Sequence, residues 1–541
     1  MGRWMKDMNK YIITSLSVAG GILMALAWTD WCSGLILLIG LVPFLLMENA
    51  LYENREKYHL TSFFIYLLPG FVIFNILTLG WVRIASILAA ITVILEVSFL
   101  MAFTMWLAHV VRLKTGNIAG FISLLAFWLT FEFLCLNIDL LSPWVNLGNG
   151  LSKDILFIQW YEASGVGGGT LWILTSNLLV AILLIKLLKR QKGSMIIAVI
   201  WLLTFIIPSI ISFARFYMIK PSEKKISEVL IIQPNVDPYT EKFIIPFEEQ
   251  LGKVLEMAGR EVTENTEWVI TPETTVDDPI NVNDLHQNGY ISMIKEFIAL
   301  NPGVCMITGM VSYSTYEQSS GALENDPAGG QNKRPHAKYF NSAFKIDTGK
   351  SIEIYHKSKL VAGVENQLIK VPDGLMNRIF PNMGGTKGYE IQKERTCFTH
   401  SGTGESAAPV ICYESVFGKY VTEYVKEGAN AIFIITNDGW WKNTNGFKHH
   451  LSYASLRAIE TRRPVARAAN TGISCLIDFK GRITQKTGWW TRETLKGRII
   501  PEEHITFYSR HGDYIMIISF FISIIIFLFV FIIKPVIKKY G

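Results

Sequence analysis

Apolar residues in this chain are gathered into runs long enough to cross a lipid bilayer, and that limits the fold more than any motif does. A hydrocarbon core of about 30 Å takes about 20 residues of helix. Eight runs reach that scale with few charges: 11–29, 33–50, 60–81, 85–110, 117–138, 164–188, 194–216 and 513–534. The first follows Arg3, Lys6 and Lys10 and contains Ala-Leu-Ala at 25–27, features a secretory signal also has. Because further runs follow it directly, it reads as an uncleaved span. The chain of 541 residues is 50% hydrophobic and 18% charged, with a mean hydropathy of +0.30. That is too apolar for a chain surrounded only by water. Three parts are expected: 1–220 with seven spans, 221–508 of mixed composition, and 509–541 with the last span and a tail.

Orientation is read from lysine and arginine, which are enriched in cytoplasmic loops. Arg55 and Lys57, Arg112 and Lys114, Lys186 to Lys192, and Lys534 to Lys539 fall, with the basic start, on alternate loops. Both termini are therefore expected in the cytoplasm, and 221–508 on the far side of the membrane. The net charge of +6 follows from this bias and is no argument for a nucleic-acid partner. Glu96 and Glu132 are the clearest acids inside spans, and without basic partners they do not form an ion relay. The run "GVGGGT" at 165–170 reads as close helix packing.

The middle block alternates short β-rich runs with helix-period segments. Runs at 228–234, 267–273, 304–310, 339–346, 351–357, 408–414, 430–438, 464–470 and 474–481 read as strands. Phe247, Leu251, Val254, Leu255, Ala258 and Val262 make one helical stripe; Val416, Phe417, Tyr420, Val421, Tyr424 and Val425 make another, closed by Gly428. The pattern is α/β with a largely buried sheet. Residues 317–336 have no period and read as an exposed loop.

Three strands end in chemistry. "APVICYE" runs into a helix at Cys412, a junction where a side chain is displayed rather than packed, so the thiol is a candidate nucleophile. "WVITPET" ends in Glu273, where desolvation raises a carboxylate pKa and suits it to act as a base. "IEIYHKSKLVAGVE" supplies Lys357 and, eight residues on, Glu365.

Together Glu273, Lys357 and Cys412 resemble the Glu-Lys-Cys triad of the nitrilase (carbon–nitrogen hydrolase) superfamily. "TPET", "YHKSKLV" and "ICYES" resemble its three motifs, followed by "TNDGWW" and "HHLSYASLRAIETRRPVARAANTG". With the eight-span frame, the whole chain is similar to the apolipoprotein N-acyltransferase family. The resemblance implies an αββα sandwich inserted before the last span. It implies Glu273 as general base, Lys357 and the Tyr413 N–H as oxyanion donors, and Glu365 and Glu414 as supporting groups. It further implies a phospholipid acyl donor, a diacylglyceryl apolipoprotein acceptor, the bilayer as surroundings, a monomer and no cofactor. Where the family commonly has "LVPFGE" this chain has "LVAGVE"; Phe243 follows Lys242 where a Trp is common.

Phe243, Asn437, Trp440 and Trp441 are candidates for substrate or interface contact, and 366–390 for a lid over the thiol. Cys305 and Cys475 read as inert strand cysteines, and no His/Cys spacing calls for a metal. His449 and His450 read as polar helix residues rather than a base. A membrane-tethered amidase would use the same triad with water as second nucleophile; eight spans rather than one tether favour a lipid substrate. A transporter or scaffold is disfavoured by the complete triad. The loop charges predict that a reporter fused within 317–336 is periplasmic and one after Tyr540 cytoplasmic; reversed labelling would refute the orientation.

Overall fold

The computed structural model describes residues 9–223, 226–316, 336–349, 351–365 and 388–536. The expected loop, nearly all of the expected lid, and Arg3, Lys6, Lys538 and Lys539 lie outside the described residues. Among the described residues, seven helices are long and apolar enough to cross a membrane: Gly34–Glu53, Ser62–Ile84, Ile87–Thr115, Asn117–Asn137, Tyr161–Leu188, Ser194–Met218 and Tyr514–Val536. The first expected span is a 17-residue helix, Lys10–Leu26, capped by the Asn9 side chain. The architecture is a bundle of apolar helices with an α/β domain inserted ahead of the last one.

Two buried carboxylates of the bundle, Glu132 and Glu48, are paired. Glu132 accepts from Trp128 Nε1 at 3.0 Å, the Leu147 N–H at 2.8 Å and Thr170 Oγ1 at 2.6 Å. Arg112, expected in a charged loop, is instead buried and paired with Glu48, which also meets His109 Nδ1 at 2.5 Å. A guanidinium at that depth persists because its carboxylate comes from a helix 64 residues away in sequence. The "GVGGGT" run does pack closely: Gly165 breaks its helix at φ +60°, and a Cβ there would lie 2.2 Å from the Tyr508 ring.

The α/β domain holds two sheets. β1 (Ser227–Gln233), β2 (Thr266–Ile270), β3 (Val276–Asn281), β4 (Cys305–Tyr316), β5 (His336–Ile346), β6 (Glu353–His356) and β13 (Glu493–Ile499) form one, in the order β13-β1-β2-β4-β5-β6 with β3 beside β4. β7 (Phe398–Thr399), β8 (Ser406–Ile411), β9 (Ala431–Thr436), β10 (Val465–Ala469), β11 (Cys475–Ile477) and β12 (Ile483–Lys486) form the other, in the order β12-β11-β10-β9-β8-β7. Alternate residues of β1 face opposite ways. Val229 and Ile231 join the core between the sheets, while Leu230 and Ile232 pack on Leu251, Val254 and Ala258 of helix Phe247–Glu261. Trp268 meets Phe433 edge to face across the sheets at 5.1 Å. β2, β9 and β10 are buried throughout, and β9 reads as a nearly continuous apolar run. The two sheets with helices outside make the expected αββα sandwich.

The domain is seated on the helices by buried polar bonds. Arg462 donates to Glu162 at 2.6 Å and to the side-chain and main-chain oxygens of Gln159 at 2.6 and 2.8 Å. Tyr453 OH donates to the Trp144 carbonyl at 2.5 Å, and Ser452 and Ser152 hydroxyls meet at 2.9 Å. Arg462→Met removes the donor and leaves its acceptors buried. It should cost about 3 kcal/mol or more, seen as a fall of several degrees in the melting temperature of the detergent-purified protein. An unchanged melting temperature would show that this joint contributes little.

Candidate active site

Glu273 follows β2 in a turn held against β4, where the Gly309 N–H donates to the Pro272 carbonyl at 3.1 Å. A Cβ at Gly309 would fall 2.6 Å from the Glu273 Cα, so glycine is what lets the turn lie that close. Lys357 follows β6; its N–H donates to the Asn341 carbonyl at 2.8 Å, extending the pairing with β5 beyond the strand. Its ammonium, 1% exposed, donates to Glu273 Oε1 and to Glu365 Oε1, each at 2.9 Å. Asn341 Nδ2 donates to the same two oxygens at 2.8 and 2.9 Å. Glu273 therefore takes both bonds on Oε1, and among the described residues Oε2 accepts none. Glu365 Oε2 accepts the Val361 N–H at 2.9 Å, which fixes the loop behind the lysine.

Cys412 begins a 3₁₀ turn, Cys412–Val416, directly after β8 and has φ +50°, a conformation rare outside glycine. The expectation of a displayed thiol is corrected: the residue is only 7% exposed, because the strand end is covered from the membrane side. Tyr413 lies against Trp144, with ring centroids 5.8 Å apart, and Trp144 also contacts Trp441, Tyr453 and His450. Burial and the Glu273 charge push the Cys412 thiol well up, with Lys357 opposing. The expectation for Glu273 is also corrected. Burial alone would raise its carboxyl, but Lys357 and Asn341 outweigh it and hold it below the ordinary value. Burial would lower Lys357, and the two carboxylates hold it well above its ordinary value.

Glu414 is wholly buried and ties the thiol turn to the lysine loop. Its Oε2 accepts the Ile411 N–H at 2.8 Å; its Oε1 accepts Tyr355 OH and Tyr420 OH at 2.6 Å and the Ser358 N–H at 2.7 Å. One carboxylate thus spaces the residues beside Cys412 and Lys357. Sequence reading passed over the groups beneath the turn. His450, taken for a polar helix residue, is fully buried, as are Asp438 and Arg467, which pair at 2.5 Å. Burial would raise the Asp438 carboxyl; Arg467 and His450 hold it far below its usual range. A polar pair at the ends of two neighbouring strands was the available signal, "TND" in 436–438 and "ARAAN" in 466–470.

The other candidates are spread out. Trp441 packs against Trp81 and Trp144. Trp440 lies edge-on to Tyr239, whose hydroxyl donates to its carbonyl at 2.7 Å. Asn437 accepts from Asn470 at 3.3 Å, and Phe243 is 55% exposed. Cys305 and Cys475 are buried in strands with thiols pushed up by burial, and all six cysteines are free. A cavity of about 400 Å³ lies at the opposite strand ends, by Glu228, Thr266 and His400, and no triad residue lines it.

Comparison with known proteins covers the same two halves. The apolipoprotein N-acyltransferase N-terminal domain matches residues 20–179 and the carbon-nitrogen hydrolase family residues 319–504. The apolipoprotein N-acyltransferase of Chlorobaculum tepidum is 25% identical, over 92% of this chain and 92% of its own. That of Thermotoga maritima is 26% identical over 94% and 92%, and that of Haemophilus influenzae 24% over 94% and 93%. Over nearly its whole length this chain is similar to apolipoprotein N-acyltransferases. The carbon-nitrogen hydrolase match includes Lys357 and Cys412 and begins beyond Glu273, so the place of Glu273 in an N-acyltransferase site rests on its contacts with Lys357.

Glu414→Gln puts an amide NH₂ where only donors point. At least one buried donor then loses its acceptor, at about 1–3 kcal/mol each. The variant should melt several degrees lower and react poorly through Cys412. A melting temperature equal to the parent's would mean that the bonds on Glu414 are not holding the two loops.

Proposed function

We propose that the chain transfers an acyl chain from the sn-1 position of a phospholipid, through a thioester on Cys412, to the α-amine of the S-diacylglyceryl-cysteine that begins an apolipoprotein. The observation that carries this reading is a carboxylate, an ammonium and a thiol converging in one buried site under a loop from the membrane helices. Glu273 and Lys357 are bonded at 2.9 Å. Both act electrostatically on Cys412, and Trp144 lies over Tyr413. Similarity to relatives named for apolipoprotein acylation supports the substrate class.

In the first half-reaction the Cys412 sulfur attacks the ester carbonyl while its proton passes to Glu273. A carbon–sulfur bond forms and the carbonyl π pair moves onto oxygen, where the Lys357 ammonium and the Tyr413 N–H meet the charge. Collapse breaks the ester carbon–oxygen bond, and lysophospholipid leaves with the proton from Glu273. In the second half the α-amine attacks the thioester and gives a proton to Glu273; the amide forms, and the leaving sulfur regains that proton. Glu365 holds Lys357 in place throughout.

Residues 1–220 and 509–541 serve as the membrane part and 221–508 as the periplasmic catalytic part of an inner-membrane enzyme with both termini cytoplasmic. The enzyme is read as a monomer. Phe243 is exposed enough to reach an incoming lipid, and Trp441 packs against Trp81 and Trp144 from the helices.

Purified protein given phospholipid and no acceptor should gain one fatty-acyl mass that hydroxylamine removes, and should hold it. A diacylglyceryl-cysteine peptide should then discharge it onto its free α-amine, and a peptide with a blocked amine should not. Cys412→Ala should take up nothing, and Glu273→Gln should acylate about 10²-fold more slowly or worse. Steady release of free fatty acid would point to hydrolysis instead. N-acyl product from Cys412→Ala would overturn the reading.

A further inference from the structure

Helix Asn445–Thr461 places His450 beneath the cysteine turn, outside the roles proposed above. Its ring is flanked by Trp441 and Trp144, with centroids at 5.4 and 6.0 Å. Nδ1 lies 3.0 Å from Asp438 Oδ1, and Nε2 lies 3.0 Å from the carbonyl oxygen of Cys412. A carbonyl oxygen only accepts, so Nε2 is the donor toward Cys412, with Ser415 Oγ 2.8 Å from the same nitrogen; Nδ1 faces Asp438 Oδ1 and, at 3.2 Å, Arg467 Nη2. Asp438 is itself held by Arg467 at 2.5 Å and by Thr436 Oγ1 at 3.0 Å, and Arg467 Nη1 is fixed on the Ile473 carbonyl at 2.7 Å. Ser415 Oγ gives the Cys412 oxygen a second bond at 2.8 Å.

The oxygen so held belongs to the same peptide group as the Tyr413 N–H. That group is planar, with its C=O and N–H pointing in opposite directions, so fixing the oxygen aims the N–H. With Cys412 at φ +50°, the unit sits in a sparsely populated region that surrounding bonds must maintain. Donors on the oxygen also polarise the amide and strengthen its N–H as a donor.

We propose that His450 is a positioning residue for the oxyanion site: backed by Asp438 and Arg467, it holds the Cys412 carbonyl so that the Tyr413 N–H faces the substrate oxygen. The inference rests on the acyl-enzyme reading. It assigns His450 to the steps in which negative charge develops on a carbonyl oxygen, which separates it from a packing role.

Two reactions of the same thiol make the test. Acylation, measured by intact mass in mixed micelles of dioleoyl phosphatidylethanolamine and dioleoyl phosphatidylglycerol, passes through an oxyanion. Alkylation by iodoacetamide displaces iodide and forms none. Gln sets its amide nitrogen near the place of Nε2, and Asn near that of Nδ1. His450→Asn should slow acylation roughly tenfold to a hundredfold while alkylation changes less than about threefold; His450→Gln should recover most of the acylation rate. Equal slowing of both reactions, normal acylation by the Asn variant, or no advantage of Gln over Asn would overturn the proposal. If the Asn variant does not fold, Ser415→Ala removes the other donor on the same oxygen and carries the same comparison. Slowed acylation with normal alkylation would support the proposal; parallel slowing or no slowing would overturn it. If the wild type takes up no acyl group, the acyl-enzyme reading itself fails, visibly in the parent protein, and this inference falls with it.

Discussion

The site depends on one buried ammonium. Lys357 has almost no contact with water, and an ammonium so placed persists only when paired and fully hydrogen-bonded. Glu273 and Glu365 supply the charge and Asn341 bridges the two carboxylates, so the end of β2, the end of β6 and the loop at 361–365 are fixed relative to one another. Glu414 extends that frame to the other sheet through the Ile411 N–H and the Ser358 N–H. The thiol is therefore located by two carboxylates that do not react in the proposed chemistry, and the precision of the site is that of the strand ends they join.

The same logic links the site to the helices. Glu132 holds the Leu147 N–H, and Tyr453 holds the Trp144 carbonyl, so the loop bearing Trp144 is pinned from both sides before it covers Tyr413. Arg462 locks the helix that carries His450 and Tyr453 to Gln159 and Glu162. These bonds cross between a bundle built for lipid and a sandwich built for water. In an apolar joint each is strongly favoured over leaving its partners unpaired. The membrane part is thus one wall of the candidate site as well as an anchor.

Much of this was legible in the sequence, for identifiable reasons. Strands buried on both faces, such as β9, write themselves as apolar runs, and the groups that follow them stand out as chemistry. β3, "VDDPIN", and β13, "ETLKGRI", are partly exposed and carry charges or proline, so no apolar run marks them. Pairings were hidden wherever the partner is far along the chain. Glu273 was expected to be raised because desolvation can be read locally, whereas the ammonium that lowers it comes 84 residues later. Glu48 with Arg112 and Asp438 with Arg467 were missed for the same reason. His450 was read from its place on a helix face, and its importance lies in what two strand ends place against it.

One consequence of the charge arrangement bears on how a transferase could keep its intermediate from premature chemistry. Glu273, Glu365 and Lys357 leave the site one negative charge in excess, and burial adds to the cost of a second. A thiolate is therefore disfavoured in the empty site, consistent with the upward push on Cys412. In the proposed reaction the thiol yields its proton only as an ester carbonyl arrives to accept the electrons, at an oxygen facing Lys357 and the Tyr413 N–H. The charge then appears on the substrate oxygen, beside the ammonium, rather than resting on sulfur among carboxylates. Such an arrangement disfavours reaction with whatever reaches the thiol first and favours the one partner that brings its own oxyanion to the prepared position.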